Sequence, residues 1–512
     1  MIRILRPHSL TRLRPQLWST SLRYNSTSEP PRRTNFHRLD KAGSDEPAEA
    51  ADAAATILTD LRDKQTNPNK ATWLEALNER EKMRAQGKRI DSFSYVDPKT
   101  TDVAEKTRND SFSFLLLPFK DDKWLCDVYI NAFGRLRVAQ LFQDLDALAG
   151  RIAYRHCSPA EPVNVTASVD RIYMVKKVDE INNYNFVLAG SVTWTGKSSM
   201  EITVKGYAFE DHVPEITNEE SLPQENVFLA ANFTFVARNP LTHKSFAINR
   251  LLPVTEKDWV DYRRAESHNA KKKLMAKNRQ MIEPTAEESK LIYDMWKSSK
   301  SLSEVEQAND GFAFMKNTSM KSTLFMQPQY RNRHSYMIFG GYLLRQTFEL
   351  AYCTAATFTS AGPRFVSLDS TNFKSPVPVG SVLTMDSTIS YTEHIHDGVE
   401  DIDADSPFNF SLPATNKISK NKEAFLSEPG TLIQVKVNTY IQTLEQQEIK
   451  PAGTFIYSFF VPKDSGVAGD HASYFSVIPQ TYSEMMTYVS GRRRAQDTAN
   501  YVEMLPSSRE EK

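Results

Sequence analysis

The chain lacks most of what marks a specialised molecule. Among its 512 residues there are only three cysteines, Cys126, Cys157 and Cys353. That excludes a disulfide framework and fits a reducing compartment. Neither sign of charge is in excess, since 63 basic residues balance 63 acidic ones. A general nucleic-acid binder carries a basic surplus, so that class is excluded. No apolar run approaches the roughly 18–20 residues that cross a bilayer. A Gly-x-Ser-x-Gly elbow is missing, which leaves the serine-hydrolase route unsupported. What remains is an ordinary globular composition, 40% hydrophobic, in a chain long enough for two or three full cores.

One further absence is local. Residues 1–28 contain no Asp or Glu, while Arg3, Arg6, Arg12, Arg14 and Arg23 are spaced among Ile, Leu, Trp, Ser and Thr. A basic, acid-free, amphipathic leader has the composition of a mitochondrial presequence, drawn inward by the membrane potential. Residues 29–56 are rich in Pro, Ala and acid and are expected to be a disordered linker.

Beyond the leader, one design occurs twice. Each copy has a strand ending near Pro118 or Pro328, a polar loop, and a Phe-Gly pair at Phe133-Gly134 or Phe339-Gly340. A helix follows, carrying Phe142 or Phe348, and then a strand with Val169-Asp170 or Leu368-Asp369. A period of about 200 residues is too long for a solenoid and predicts two tandem domains of one fold. The spacing Val138, Leu141, Leu145, Leu148, Ile152 is the apolar stripe of the first helix. Strand, turn, one long helix and several β-rich runs predict an α+β fold, in which a mostly antiparallel sheet wraps around the helix.

The expected organisation is a first domain at 57–253 with an N-terminal helical extension, then a charged helical connector at 254–309. The second domain spans 310–490, with an insertion at 394–430, and a tail fills 491–512. Pro284 breaks the connector, and Thr285 with Glu288 is read as a capping box that restarts a helix. Lys271-Lys272-Lys273 is read as a solvated face, and a metal role for His394 and His396 is set aside as the rarer reading of loop histidines. Arg492-Arg493-Arg494 faces solvent, an acidic partner or a phosphate.

The ordered motifs resemble the mitochondrial two-hotdog acyl-coenzyme A thioesterases over roughly residues 105–490. In the second copy the matching pieces are Asn332-Arg333-His334, Ile338-Phe339-Gly340-Gly341, Asn372-Phe373, Pro376-Val377 and Val379-Gly380. In the first they are Tyr129-Ile130-Asn131, Asp144-Leu145-Asp146, Val169-Asp170 and Thr195-Gly196-Lys197-Ser198-Ser199-Met200-Glu201. The resemblance implies a tandem double hotdog that hydrolyses fatty acyl-CoA to free fatty acid and coenzyme A. It implies no cofactor beyond the coenzyme A of substrate and product, no metal, a homo-oligomer of double hotdogs, and a place in the mitochondrion, in the matrix.

A thioesterase needs a carboxylate as base or nucleophile, and unpaired helix N–H groups for the oxyanion. The family places its acid on the hotdog helix, facing the other hotdog. Its commonest position holds Phe348 here, a departure, so the candidates are Glu349 next to it and Asp144 and Asp146 in the first copy. At 100° per residue, Glu349 and Asp146 lie about 130° from the centre of their apolar stripes, and Asp144 about 70° away on the other flank. The competing reading of Glu349 is an ion pair with Arg345, four residues earlier. Asn131, Asn332 and His334 are loop candidates for holding carbonyl or water, against routine turn roles. Gly340, Gly341 and Gly134 are expected to let substrate approach the backbone. Gly196, Lys197, Ser198 and Ser199 resemble a CoA-contacting turn, which the second copy lacks, so one of the two interfacial sites is expected to be lost. Asp170 and Asp369 are assigned structural hydrogen bonds. A hotdog dehydratase wants a His–Asp pair that is not found, and a non-catalytic acyl-CoA binder or structural hotdog remains the alternative.

Overall fold

The structure is a computed structural model. It describes residues 82, 85, 86 and 100–503, with breaks at 161, 240–241, 243, 278–281, 303–311, 333–336, 370, 397–415, 420, 445–447 and 464–473. The chain divides into units at 1–48 and 49–512, and both repeats fall in the second. The presequence, the linker and most of the predicted N-terminal helical extension lie outside the described residues.

The first repeat contributes β1 (Glu105–Lys106), α1 (Arg108–Ser111), β2 (Ser113–Leu117), α2 (Lys123–Tyr129) and the long α3 (Val138–Cys157). Then come β3 (Val163–Met174), β4 (Asn185–Thr195), β5 (Ser199–Phe209), β6 (Val227–Arg238) and β7 (Arg250–Leu251). Two helices, α4 (Glu256–Lys277) and α5 (Ala286–Leu302), lead into the second repeat. It contains β8 (Phe312–Phe314), β9 (Met320–Phe325), α6 (Gly340–Thr359), β10 (Arg364–Leu368) and β11 (Thr371–Phe373). After these come β12 (Val382–Ile395), β13 (Gly430–Gln442), β14 (Ile449–Pro462), β15 (Ser476–Ile478) and α7 (Tyr482–Glu503).

Eleven strands form one sheet in the order β2-β4-β5-β6-β3-β10-β14-β13-β12-β9, with β11 also pairing β3 and β14. Every pairing in it is antiparallel. The two half-sheets join where β3 meets β10 and β11, through Ser367↔Tyr173 and Asn372↔Ser168. The fold is therefore an α+β tandem double hotdog, with each half-sheet curled around one helix. Burial explains the curl. Val138, Leu141, Leu145, Leu148 and Ile152 are all buried against the first half-sheet, as their spacing predicts.

The helices α3 and α6 meet along an aromatic seam. Phe142 is fully buried, and its ring lies 5.2 Å from those of Phe348 and Phe365. Phe348 also packs against Tyr457 and Phe459. The Phe at the family's usual acid position is thus core: a carboxylate there would be buried among rings, where an unpaired charge is costly.

The repeats also match in their irregularities. β3 bulges between Thr166 and Ser168, and β10 between Phe365 and Ser367, the same distance before Asp170 and Asp369. Thr166 and Phe365 are therefore structural counterparts.

Each repeat's flanking helix reaches back to that aspartate. Lys272 of α4 donates to Asp170, Ser168 and Thr234, so the expectation of a solvated Lys271-Lys272-Lys273 face fails at Lys272. Thr498 of α7 donates to Asp369 at 3.3 Å, with Arg494 nearby. Arg493 forks onto Glu288 at 2.7 and 2.6 Å, which gives part of the arginine cluster a structural role. The box at Thr285 and Glu288 forms with both reciprocal bonds, at 2.8 and 3.2 Å.

Candidate active site

The pseudo-twofold arrangement makes two clefts between the repeats. Each sets the middle of one hotdog helix against the loop and helix start of the other repeat. In the first cleft, α3 supplies Asp146, β3 supplies Thr166, and α6 supplies its own first residues. Thr166 donates its hydroxyl to Asp146 Oδ1 at 2.9 Å. The Gly341 backbone N–H donates to Oδ2 at 2.6 Å. Asp146 is 1% exposed, so both bonds are made out of water.

The glycines make this approach possible. A Cβ on Gly340 would stand 3.0 Å from Asp146 Oδ2, and one on Gly341 3.0 Å from the Gln143 Cα. A side chain at Gly340 would press on the Asp146 carboxylate, and one at Gly341 would also meet the Phe339 ring at 2.7 Å. Helix N-termini hold unpaired N–H groups and a positive dipole end, and a carboxylate is the natural partner for both. The arrangement sets a carboxylate directly on a helix N-terminus, with the Gly341 N–H taken up by Asp146 itself.

The remaining predicted residues divide clearly. Glu349 lies at the second cleft and pairs with Arg137 of the other repeat at 3.0 Å. Arg345 instead donates to Gln140 and Gln143, at 3.1 and 3.4 Å, so the Arg345–Glu349 pair does not form. Asp144 is buried and accepts from the Tyr129 hydroxyl at 2.6 Å, within its own repeat. Asn131 builds a turn, accepting from the Phe133 and Arg135 N–H groups at 2.9 and 3.0 Å. Gly134 takes a positive φ of 73° in that turn. Asn332 is half-buried, with its N–H bonded to the Met337 carbonyl at 2.7 Å, in the loop before α6. His334 lies outside the described residues.

Gly196, Lys197, Ser198 and Ser199 form the tight turn between β4 and β5, closed by Gly196 N–H to the Ser199 carbonyl at 2.8 Å. Lys197 is exposed. The register runs Thr166↔Phe235↔Met200, so the turn begins two strands, about 10 Å, from Thr166.

Among the described residues one group has metal-ligand geometry. Donor atoms of Asp170, Glu201 and His268 lie within 4.8 Å of one another. The chain's own cations already serve it. Lys272 holds Asp170, while Arg264 lies 3.6 Å from Glu201 and Asn269 donates to it at 3.1 Å. Burial, opposed by Arg264, pushes the Glu201 carboxyl up to about 7. His394 is not a ligand either: it hydrogen-bonds Ser476 and the Phe475 carbonyl and stacks on Tyr474, and burial takes its pKa down to about 4.

Sequence reasoning missed Thr166, Arg137, Tyr352 and Phe365. One signal was available. Tyr352 follows Phe348 by as many residues as Asp146 follows Phe142, so aligning the two helices would have shown an acid in one copy only.

No family model matches the chain. It is 33% identical over 302 residues to acyl-coenzyme A thioesterase 4, mitochondrial, of Humulus lupulus, covering 58% of this chain and 55% of that one. It thus spans about half the length of that relative. Acyl-coenzyme A thioesterase 2, chloroplastic, of the same plant is 29% identical over 393 residues, 76% of this chain and 80% of that one. Human acyl-coenzyme A thioesterase 9, mitochondrial, is 26% identical over 426 residues, 81% and 84%. The resemblance read from the repeated motifs is borne out: the chain is similar to acyl-coenzyme A thioesterases over much of its length, and it is built as a tandem pair of hotdogs.

Proposed function

We propose that the chain hydrolyses fatty acyl-CoA to free fatty acid and coenzyme A at the first cleft. The observation that carries the reading is the Asp146 carboxylate, held by Thr166 and set against the N-terminus of α6 from the other repeat. Asp146 takes a proton from a water as that water's oxygen attacks the thioester carbonyl carbon. The substrate displaces the contact between Asp146 Oδ2 and Gly341, and the oxyanion takes the freed N–H at the α6 N-terminus. Collapse breaks the C–S bond. The proton held by Asp146 passes to the departing thiolate, and acid and coenzyme A leave. Thr166 orients the carboxylate. Lys197 and the turn around it are positioned for the CoA phosphates. Asn332 stands in the loop before α6 and is the further candidate there, with His334 two residues on in the sequence.

The acid-free leader and two relatives named mitochondrial support a mitochondrial location, with the matrix as its compartment. A homo-oligomer of double hotdogs is part of the same proposal. Among the described residues no helix is long and apolar enough to cross a membrane.

The same geometry favours one other reading, a non-catalytic acyl-CoA binder. Asp146 also caps α6 across the interface, a structural task in its own right. Asp146→Asn separates the two, because the amide oxygen keeps the cap and removes the basicity. Single-turnover hydrolysis of dodecanoyl-CoA should fall at least about 100-fold, with affinity for a non-hydrolysable thioether nearly kept. Wild-type turnover in this variant would leave Asp146 as a cap alone.

A further inference from the structure

The second cleft holds a cavity of about 570 Å³, within the range of small-molecule sites. Its walls come from both repeats. Phe348 and Phe365 form its apolar floor, with Tyr352 where the first cleft has Asp146. The acid–hydroxyl pair Asp146–Thr166 is thus replaced by the aromatic pair Tyr352–Phe365. No base stands at the equivalent point, so a ligand there meets no hydrolytic group of the kind proposed for the first cleft.

The lining is charged as well as apolar, with Arg135, Arg137, Lys177 and Arg364 against Asp127, Asp179 and Glu349. Arg135 of the first repeat and Arg364 of the second both line the cavity and share one carboxylate, Asp179, at 3.6 and 3.4 Å. Those are long contacts, and the Asp179 side chain is 48% exposed. Asp179 can neutralise only one of the two guanidiniums, and Arg135 also donates to the Gly362 carbonyl at 3.0 Å. Arg364 Nε has no hydrogen-bond partner among the described residues, and neither does the Tyr352 hydroxyl. Arginine pairs of this kind suit planar anionic groups.

The second repeat's insertion adds one wall. Phe425 lines the cavity, and the residues beside it are tied to the first repeat. Lys177 N–H donates to the Glu423 carbonyl at 2.7 Å, and Lys177 Nζ bonds Ser427 and Glu428 at 2.7 and 3.2 Å. The corresponding connection in the first repeat is the tight turn at Gly196–Ser199, which has no such extension.

We propose that the second cleft is a non-hydrolysing site for an anionic amphiphile. Its carboxylate or phosphate meets Arg135 and Arg364, and its apolar chain lies among Phe348, Phe365 and Phe425. A free fatty acid and an acyl-CoA share this chemistry. The proposal does not depend on hydrolysis at the first cleft.

Calorimetric titration of the full chain tests it, with dodecanoate in one arm and the dodecyl-CoA thioether in the other. At least one ligand should bind in a class of sites that Val178→Trp, which fills the cavity, abolishes. Arg364→Gln should weaken that class about tenfold or more, the scale of a lost charge-assisted contact. Both variants should hydrolyse dodecanoyl-CoA within about twofold of wild type, since neither residue belongs to the first cleft. Whichever arm shows the class identifies the head group. Binding in neither arm, or binding that survives both substitutions, overturns the proposal. Because Arg364→Gln keeps most of the side-chain volume, the test stands even where Val178→Trp fails to fold. A wild-type chain that hydrolyses nothing yet shows the Arg364-dependent class would sink the thioesterase reading alone.

Discussion

Asp146 and Tyr352 occupy matching places on their helices, and the clefts around them have taken opposite chemistries. Around Asp146 the neighbours are a strand hydroxyl and a bare glycine backbone, and the space is closed by direct contact of α3 with α6. Around Tyr352 the strand offers Phe365, and the turn before α3 brings Arg135 where α6 has Gly341. The helix α6 begins at Gly340, whereas α3 begins only at Val138, past Gly134 and its turn. A helix end therefore reaches the acid in one cleft, and a turn with side chains surrounds a cavity in the other. Duplication supplies two equivalent interfaces. The side chains at four or five positions decide which can carry charge out of water.

The largest effect should come from the acid. Asp146→Asn is expected to lower turnover at least about 100-fold, and Thr166→Val, which strips one hydrogen bond from it, about tenfold. Glu349→Gln at the other cleft should stay within about threefold, since it breaks only a half-exposed ion pair. Single-turnover rates of the three variants would break the comparison if Glu349→Gln proved the most damaging.

The glycines sharpen it. Gly340→Ala places a methyl 3.0 Å from Asp146 Oδ2 and should cost about tenfold in turnover by shifting the carboxylate. Its counterpart Gly134→Ala meets no atom within 4 Å but forces alanine to a φ of +73°. It should cost about 1 kcal/mol of stability and leave turnover near wild type. Rates and denaturation midpoints measured together distinguish a site effect from a backbone effect.

The outer faces of the two half-sheets differ as well, and pH reads that difference. Burial raises the Glu201 carboxyl to about 7 in the folded chain, from the ordinary 4.5 of a glutamate. Over that window the folded chain binds the extra proton, so stability falls as pH rises from about 4.5 to 7. Glu201→Gln removes the titration. It should gain up to about 2–3 kcal/mol over wild type at pH 8 relative to pH 5, read as melting temperature. A pH-independent difference would show that Arg264 and Asn269 hold the charge at no net cost. The smallest effect is expected at Arg137→Gln, about 0.5 kcal/mol or less, because both partners of its ion pair are half-exposed.

Much of the architecture was legible because periodicity is local. The α3 stripe follows from the 3.6-residue repeat, and the strand runs appear as buried segments close to where alternation and β-branched residues put them. The capping box at Thr285 was readable for the same reason, since its partners are three residues apart. Within the site, angular position on the helix pointed Asp146 and Glu349 toward the other repeat, and both do meet it. Angle did not reveal what stood opposite. Glu349 found Arg137 rather than Arg345, and Lys272 turned inward to Asp170, because those partners come from distant parts of the chain.

The sequence by itself determined that there are two copies of one fold, where their helices and strands lie, and which carboxylates leave the apolar stripe. These follow from short-range spacing, composition and internal repetition. Only the tertiary structure decided which carboxylate is held by a hydroxyl and a helix end, and which merely pairs with an arginine. That choice depends on residues about 200 positions apart, Asp146 with Gly341 and Glu349 with Arg137. It was made when two half-sheets joined at β3 and β10 and α3 packed against α6. Burial then fixed the chemistry, because a carboxylate survives out of water only where donors already face it.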